Sequence, residues 1–261
     1  MLLTHTTTMK PGAKPTGRVS IEWSPMLAYA VGLFTADGCL INDGRHIDFT
    51  SKDREQVLAF KRCLGLKVKV GTKKSGIPGK NYYRVQFGDV LFYQFLMNIG
   101  LAPAKSKTLA AVLVPDKYFP DFLRGYFDGD GTSYSFYDSL FPNSYRFYLA
   151  FTSASPKFID WLRNMIRKTV QVGGHIALYS DRNYMQLKYA KHEAIAVCQY
   201  MYQGKPKFFL KRKHLKIRDS IRIINQRRGG ETANTLRSGR SARKGLRVQL
   251  PPRPIRIFQG R

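Results

Sequence analysis

The sequence predicts an α+β fold built twice from one unit, and three observations carry that prediction. The run from Ser24 to Gly38 recurs at Pro120 to Gly131: shifted by 93 positions, Gly32 meets Gly125, Phe34 meets Phe127, Ala36 meets Gly129, and Asp37-Gly38 meets Asp130-Gly131. Phe49-Thr50-Ser51 then recurs as Phe151-Thr152-Ser153 at an offset of 102. The added 9 positions imply a longer first hairpin in the second copy. Around both copies the hydrophobic period changes in the same order: helix, two strands, helix, two strands, helix. Such an order gives antiparallel sheets with helices on one side, not a wound parallel sheet.

Taken along the chain, residues 1–23 read as a flexible polar arm with no sustained apolar stretch of a secretory leader. The first repeat spans 24–115. Ser24 suits an N-cap and Pro25 a first helical residue. Ala28, Gly32 and Ala36 then form a stripe of small residues at i, i+4, i+8, and Gly125 and Gly129 hold the last two places of that stripe in the second copy. Mid-helix glycine costs up to ~1 kcal/mol relative to alanine. That cost suits backbones that approach closely, so the two motif helices should pack together with Asp37 and Asp130 side by side at their ends. After Phe-Thr-Ser, Val57, Phe60 and Leu64 mark a helix closed by Gly65. Val68-Lys69-Val70 and Tyr83–Phe87 read as strands around a turn-rich GTKKSGIPGKN, and Val90–Ile99 as a helix.

The second repeat spans 116–226. Ser155 caps and Pro156 starts a helix whose inner face is Phe158, Leu162, Met165 and Ile166. Ile176–Tyr179 and Tyr184–Tyr189 are strands, and His192–Tyr202 a helix. Residues 227–261 hold ten Lys/Arg against one Glu and read as a basic disordered tail.

Charge restricts the function. There are 44 Lys plus Arg against 17 Asp plus Glu, a formal net charge of +27. A fold so basic calls for an anionic partner, nucleic acid before an acidic membrane. No apolar run reaches membrane-spanning length, so no membrane partner is expected. Cys39, Cys63 and Cys198 form no CxxC pair and suit a reducing, intracellular setting. Organelle and cytoplasm stay equally open. The five histidines have neither HExxH nor zinc-finger spacing.

The strands alternate. In Tyr145–Phe151 the apolar residues take odd positions. Tyr83, Val85 and Phe87 oppose Arg84 and Gln86, and Met185, Leu187 and Tyr189 oppose Gln186 and Lys188. One face packs on helices. The other carries Arg84, Gln86, Arg146, Tyr148, Gln186 and Lys188, with Lys67, Lys69 and Arg182 nearby, and forms a candidate nucleic-acid-reading face.

The chemistry rests on the paired Asp-Gly ends. A lone Asp-Gly would be an ordinary helix stop. Two matched copies place two carboxylates together at the negative ends of helix dipoles, where each is disfavoured. A hard divalent cation, Mg²⁺ with Mn²⁺ as a substitute, would resolve that repulsion and assist phosphodiester hydrolysis.

Ala30–Gly38 and Leu123–Gly131 resemble the motif of the LAGLIDADG homing endonucleases, and the resemblance runs from about Ser24 to Asn225. Two copies in one chain resemble the monomeric members. The resemblance implies two sheets forming a saddle over the major groove of double-stranded DNA, with a staggered cut of both strands leaving 3′ overhangs. It implies Asp37 and Asp130, with the Gly38 and Gly131 backbone beside them, as metal-binding positions. It also implies Ser51 and Ser153 as water-orienting residues, and Lys105, Lys211 or Lys213 as the lysine near the scissile phosphate. Thr35 departs from the motif where Asp128 keeps it, at a position that is not a ligand. A maturase that binds intron RNA is the alternative function, and a DNA-binding regulator that does not cut is a third. An intein is disfavoured by the polar start and the lack of a terminal His-Asn.

Overall fold

The structure, a computed structural model, describes residues 17–74 and 81–237, apart from the side chains of Ser180 and of 228–237. Among the described residues, seven α-helices and eight β-strands follow in order. The first repeat comprises α1 (Pro25–Asp37), β1 (Gly38–Leu40), β2 (His46–Ser51), α2 (Arg54–Cys63), β3 (Gly71–Lys74), β4 (Asn81–Gly88) and α3 (Val90–Asn98). The second comprises α4 (Phe119–Asp130), β5 (Gly131–Tyr137), β6 (Tyr145–Ser153), α5 (Pro156–Val170), β7 (His175–Tyr179), β8 (Tyr184–Ala190) and α6 (Lys191–Met201), and α7 (Lys211–Arg237) follows. Each repeat thus has the predicted helix-strand-strand-helix-strand-strand-helix order. The sheets run β1-β2-β4-β3 and β5-β6-β8-β7, with antiparallel neighbours throughout. Among the described residues, no helix is long and apolar enough to cross a membrane.

Alternation decides which sheet face is covered. Ile47, Phe49, Val85 and Phe87 are buried in the first sheet, and Phe147, Leu149, Phe151, Leu187 and Tyr189 in the second. Helices α2 and α3 cover one face of the first sheet, and α5 and α6 one face of the second. The cores are aromatic: Phe60 stacks on Phe49 with centroids 4.3 Å apart and on Phe34 at 6.2 Å, while Tyr126 meets Phe158 at 4.9 Å.

Local caps explain the helix starts. Ser24 Oγ accepts from Leu27 N at 3.1 Å, with Pro25 first in α1. Asp53 caps α2 through Glu55 N, and Asp89 caps α3 through Phe92 N. Ser155 stands at the N-cap of α5 as expected, but its hydroxyl donates to Leu109 O instead of capping.

Several boundaries differ from the sequence reading. The strand expected at Val68–Val70 is displaced to Gly71–Lys74, inside the segment read as a turn. Its register is set by antiparallel pairing with β4, Gly71 opposite Arg84 and Lys74 opposite Asn81. Residues 17–23 are not a free arm. Asp89 Oδ2 accepts from the backbone N–H of Arg18 at 2.5 Å and Val19 at 3.0 Å, and Val19 is buried. Residues 1–16 lie outside the described residues.

Helix α7 continues through Arg237, so 227–237 of the expected tail is helical, and 238–261 lie outside the described residues. The two repeats do not separate into two units. Among the described residues, those up to Arg222 form one compact unit, and those from Ile223 belong to a second.

Candidate active site

The site begins where α1 meets α4. A Cβ built on Gly32 would stand 2.1 Å from Phe122 O and 2.7 Å from Tyr126 N. One built on Gly125 would stand 2.1 Å from Tyr29 O. The two helix backbones touch at these positions, as the small-residue stripe predicts. One turn further on, a Cβ on Gly129 would lie 2.3 Å from Ala36 Cβ and 3.4 Å from Asp37 Oδ2. Asp37 therefore lies against the end of the other motif helix.

The glycine after each aspartate has its own reason. At Gly38 and Gly131 the chain turns from helix directly into a strand, with φ −86° at both. Any residue can adopt that φ. A Cβ there, however, would lie 2.1 Å from the Phe34 ring at Gly38 and 2.2 Å from the Phe127 ring at Gly131.

Neither carboxylate sits comfortably. Protein surrounding Asp130 strips its water, and the neighbouring Asp37 charge adds to the effect, so its pKa is pushed up to about 6 despite an open tip. Burial likewise raises the Asp37 pKa, against the Gln56 hydrogen bond and the nearby charges of Lys213 and Lys105. Gln56 Nε2 donates to Asp37 Oδ2 at 3.0 Å, and Gln56 Oε1 accepts from Ser51 Oγ at 2.7 Å. Ser51 therefore reaches Asp37 only through Gln56. In the second repeat, Phe158 occupies the place of Gln56, five residues after Ser153. Ser153 Oγ accepts from Ser155 N at 3.1 Å, and nothing comparable to Gln56 reaches Asp130.

Two buried lysines back the pair in matching fashion. Lys105 Nζ donates to Gly38 O and lies 5.4 Å from the Phe34 ring centroid. Lys213 Nζ donates to Phe127 O at 2.7 Å, Asp128 O at 2.8 Å and Gly131 O at 2.6 Å, and lies 5.2 Å from the Phe127 ring centroid. Each ammonium lies among carbonyls at a motif-helix C-terminus, where a cation is favoured. Burial lowers both pKa values, that of Lys213 to about 8, although the aspartates oppose the shift. Of the three candidate lysines, the structure thus brings two to the site. Lys211 is exposed and lines a separate cavity beside α2.

The carbonyls of Gly38 and Gly131 face these ammonium groups, so the negative charge available to a cation is that of Asp37 and Asp130. Among the described residues no group of three or more His, Cys, Asp or Glu side chains could hold a metal. The chemistry of the donors still fits a hard divalent ion shared with phosphate oxygens. Two carboxylates are held together against their mutual repulsion, and Asp130 has no protein hydrogen bond among the described residues.

Asp128 is not part of this pair. It is buried, with Oδ2 accepting from Tyr29 OH at 2.7 Å and Leu210 N at 2.8 Å, and burial pushes its pKa up to about 6. It ties α1, α4 and the segment entering α7. Thr35 at the matching place donates to Val31 O instead.

The uncovered sheet faces carry most of the predicted contact residues, though few are free. Arg84 pairs with Asp48 at 2.5 Å, Arg146 with Asp138 at 2.9 Å, Gln186 Nε2 donates to Thr152 Oγ1 at 3.2 Å, and Lys188 Nζ donates to Tyr179 OH at 2.5 Å. Gln86 is exposed in β4. Lys67 and Lys69 are exposed but precede β3 instead of lying in a strand, and Arg182 lies in the turn between β7 and β8. Tyr148 stacks on Tyr134 at 5.0 Å and on Phe136 at 6.1 Å.

Sequence reading missed Gln56, Asp48 and this aromatic row. Each depends on register across strands or between a helix and a strand, and none of them repeats in the other copy.

No family model matches the chain, and no curated protein matches it. Solved structures do. The LAGLIDADG homing endonuclease I-LtrWI bound to target DNA aligns with a TM-score of 0.54 at 11% identity, over 78% of this chain and 91% of that one. A lysine-to-alanine double mutant of I-SmaMI gives 0.54 at 12%, over 83% and 97%. Full-length DUF199/WhiA from Thermatoga maritima gives 0.50 at 15%, over 82% and 68%. The chain therefore has the LAGLIDADG fold.

Proposed function

We propose that this chain is a site-specific endonuclease that hydrolyses one phosphodiester bond in each strand of a long DNA duplex, with a divalent metal and as a monomer. The observation that carries the reading is the pair of carboxylates, Asp37 and Asp130, held together at the touching ends of α1 and α4, each with a buried lysine behind it. A protein that only bound DNA would gain nothing from holding two anions together in a surface that must meet phosphate. Double-stranded DNA is the partner, consistent with the DNA-bound structures of the same fold.

Asp37 and Asp130 would hold the metal, which when bound supplies Lewis-acid activation and neutralises charge on the scissile phosphates. The chain's own groups do the rest. Gln56, fixed by Ser51, aims the Asp37 carboxylate. Lys105 and Lys213 place positive charge behind each motif-helix end, where it favours the approach of a phosphate and the charge that builds on it. Both motif helices come from one chain, so one copy supplies both halves of the site. The two uncovered sheet faces would lie in the major groove and place the cuts across the minor groove, leaving 3′ overhangs. Arg, Lys and Gln suit base-edge readout there.

The test is cleavage of a library of candidate duplexes with Mg²⁺ or Mn²⁺, followed by the Asp37→Asn and Asp130→Asn variants. Each substitution should abolish double-strand cutting while leaving binding to uncut duplex within a few-fold. Full cutting by either variant refutes the two-acid site. Sequence-specific binding by the wild type with no cutting under any divalent metal would instead favour a DNA-binding regulator that does not cut.

A further inference from the structure

A second basic feature lies on the other side of the first repeat. Residues 54, 58 and 62 stand at i, i+4 and i+8 on α2 and form one face, while Val57, Phe60 and Cys63 are buried on the opposite face. That buried face covers the first sheet, so the face of Arg54, Leu58 and Arg62 points away from Arg84 and Gln86. A cavity of about 380 Å³ opens there, and the chain entering α7 supplies its other wall with Lys207, Phe209 and Lys211. The wall is fixed in place. Arg212 pairs with Asp53, the N-cap of α2, at 2.9 Å, and Leu210 N donates to Asp128.

Arg54, Arg62, Lys207 and Lys211 have no ion-pair partner among the described residues, and Glu55 is the one acid among the lining residues. Four cations around one small cavity repel each other unless an anion joins them. The floor is apolar, formed by Leu58, Ala59, Phe208 and Phe209. Phosphates of an intact duplex lie on a convex ladder and have no use for such a floor. A single strand presents phosphates together with unstacked bases, whose faces suit aromatic and aliphatic side chains.

We propose that this cavity binds a single strand of nucleic acid, with its phosphates on Arg54, Arg62, Lys207 and Lys211 and an unstacked base against Leu58 and Phe209. Arg54 and Arg62 are separated by roughly 12 Å along α2, enough to engage separate phosphates. The site is distinct from the paired aspartates and does not require that the chain cut DNA.

The experiment uses the full chain with EDTA present and unlabelled duplex DNA at saturation to occupy the sheet faces. Fluorescence anisotropy then follows a labelled oligouridylate, and in a second arm an oligothymidylate, across a series of salt concentrations. The variants are Arg54→Glu/Arg62→Glu and Leu58→Ser, each checked by thermal melting. Both arginines are exposed, so the fold should survive their replacement.

The charge-reversed variant should bind the single strand more weakly, with the slope of log K against log salt smaller in magnitude by about 1.4, two contacts at ~0.7 each. Its duplex affinity should stay unchanged. Leu58→Ser should weaken single-strand binding without changing the slope. Stronger binding of oligouridylate identifies RNA as the strand, and equal binding shows that the 2′-hydroxyl is not read. Wild-type slope and affinity retained by the charge-reversed variant, or an equal fall in duplex and single-strand binding, would overturn the assignment.

Discussion

Replacing Gly32 or Gly125 by alanine puts the helix-packing argument at most risk, because two principles give opposite signs. On an exposed helix, glycine to alanine stabilises by up to ~1 kcal/mol. Here the added methyl at position 32 would lie 2.1 Å from Phe122 O. Carbon–oxygen contacts come no closer than about 3.3 Å, so the shortfall is roughly 1.2 Å. The obstructing atoms are backbone, so no side-chain rotation relieves the clash, and α1 and α4 must separate.

Overpacking of this kind costs ~1–3 kcal/mol or more. After the propensity gain, the net loss should be about 2 kcal/mol, a fall of roughly 4–8 °C in Tm for a chain of this size. Gly129→Ala should be milder, because its nearest obstacle is the Ala36 methyl. Gly32→Ala and Gly125→Ala relieve and strain one contact, since a Cβ on Gly32 would lie 3.0 Å from Gly125 Cα, so the double variant should lose less than the sum. Thermal and urea unfolding of the three single variants and the double decide the matter. A rise in Tm for Gly32→Ala and Gly125→Ala would refute the close approach, and with it the placement of the two aspartates.

Three further outcomes are expected. Gln56→Leu frees Asp37 but leaves Asp130 untouched, so strand-specific labelling of a cleaved duplex should show one strand slowed more than the other and a nicked intermediate accumulating; equal slowing would show that Gln56 is merely structural. Asp128 has a folded-state pKa of about 6, above its ordinary value, so its contribution favours folding at low pH and is lost as pH rises from about 4 to 6. Wild type should therefore lose on the order of 3 kcal/mol across that window relative to Asp128→Asn, measured as the difference between two urea-unfolding pH profiles; parallel profiles would contradict the burial argument. Lys213→Met should cost a few kcal/mol of stability by removing the charge-assisted hydrogen bonds to the carbonyls of Phe127, Asp128 and Gly131, and at temperatures where it remains folded it should still cut more slowly.

The sequence alone determined the duplication, the order of elements, the meeting of α1 and α4, and the pairing of Asp37 with Asp130. All of these follow from local period and from residues that recur at a fixed offset. The tertiary structure decided what depends on register and on which elements meet. Three lysines looked equivalent in sequence, and only the fold turned Lys105 and Lys213 inward onto carbonyls and left Lys211 outside.

Ser51 was legible as a polar residue near the site, but its action through Gln56 depends on how α2 lies across β2. Helix α7 was hidden because its inner face includes a lysine: Lys213, Ile217 and Ser220 are buried at helical spacing just after the buried Leu210, yet a charged residue in that pattern reads as solvent-facing. The strand at Gly71–Lys74 was hidden because its residues are polar and favour turns, and their extended form is imposed by hydrogen bonding to β4. Periodicity records what a segment buries. It does not record a charge that burial satisfies with backbone carbonyls, or a strand that its neighbour holds in place.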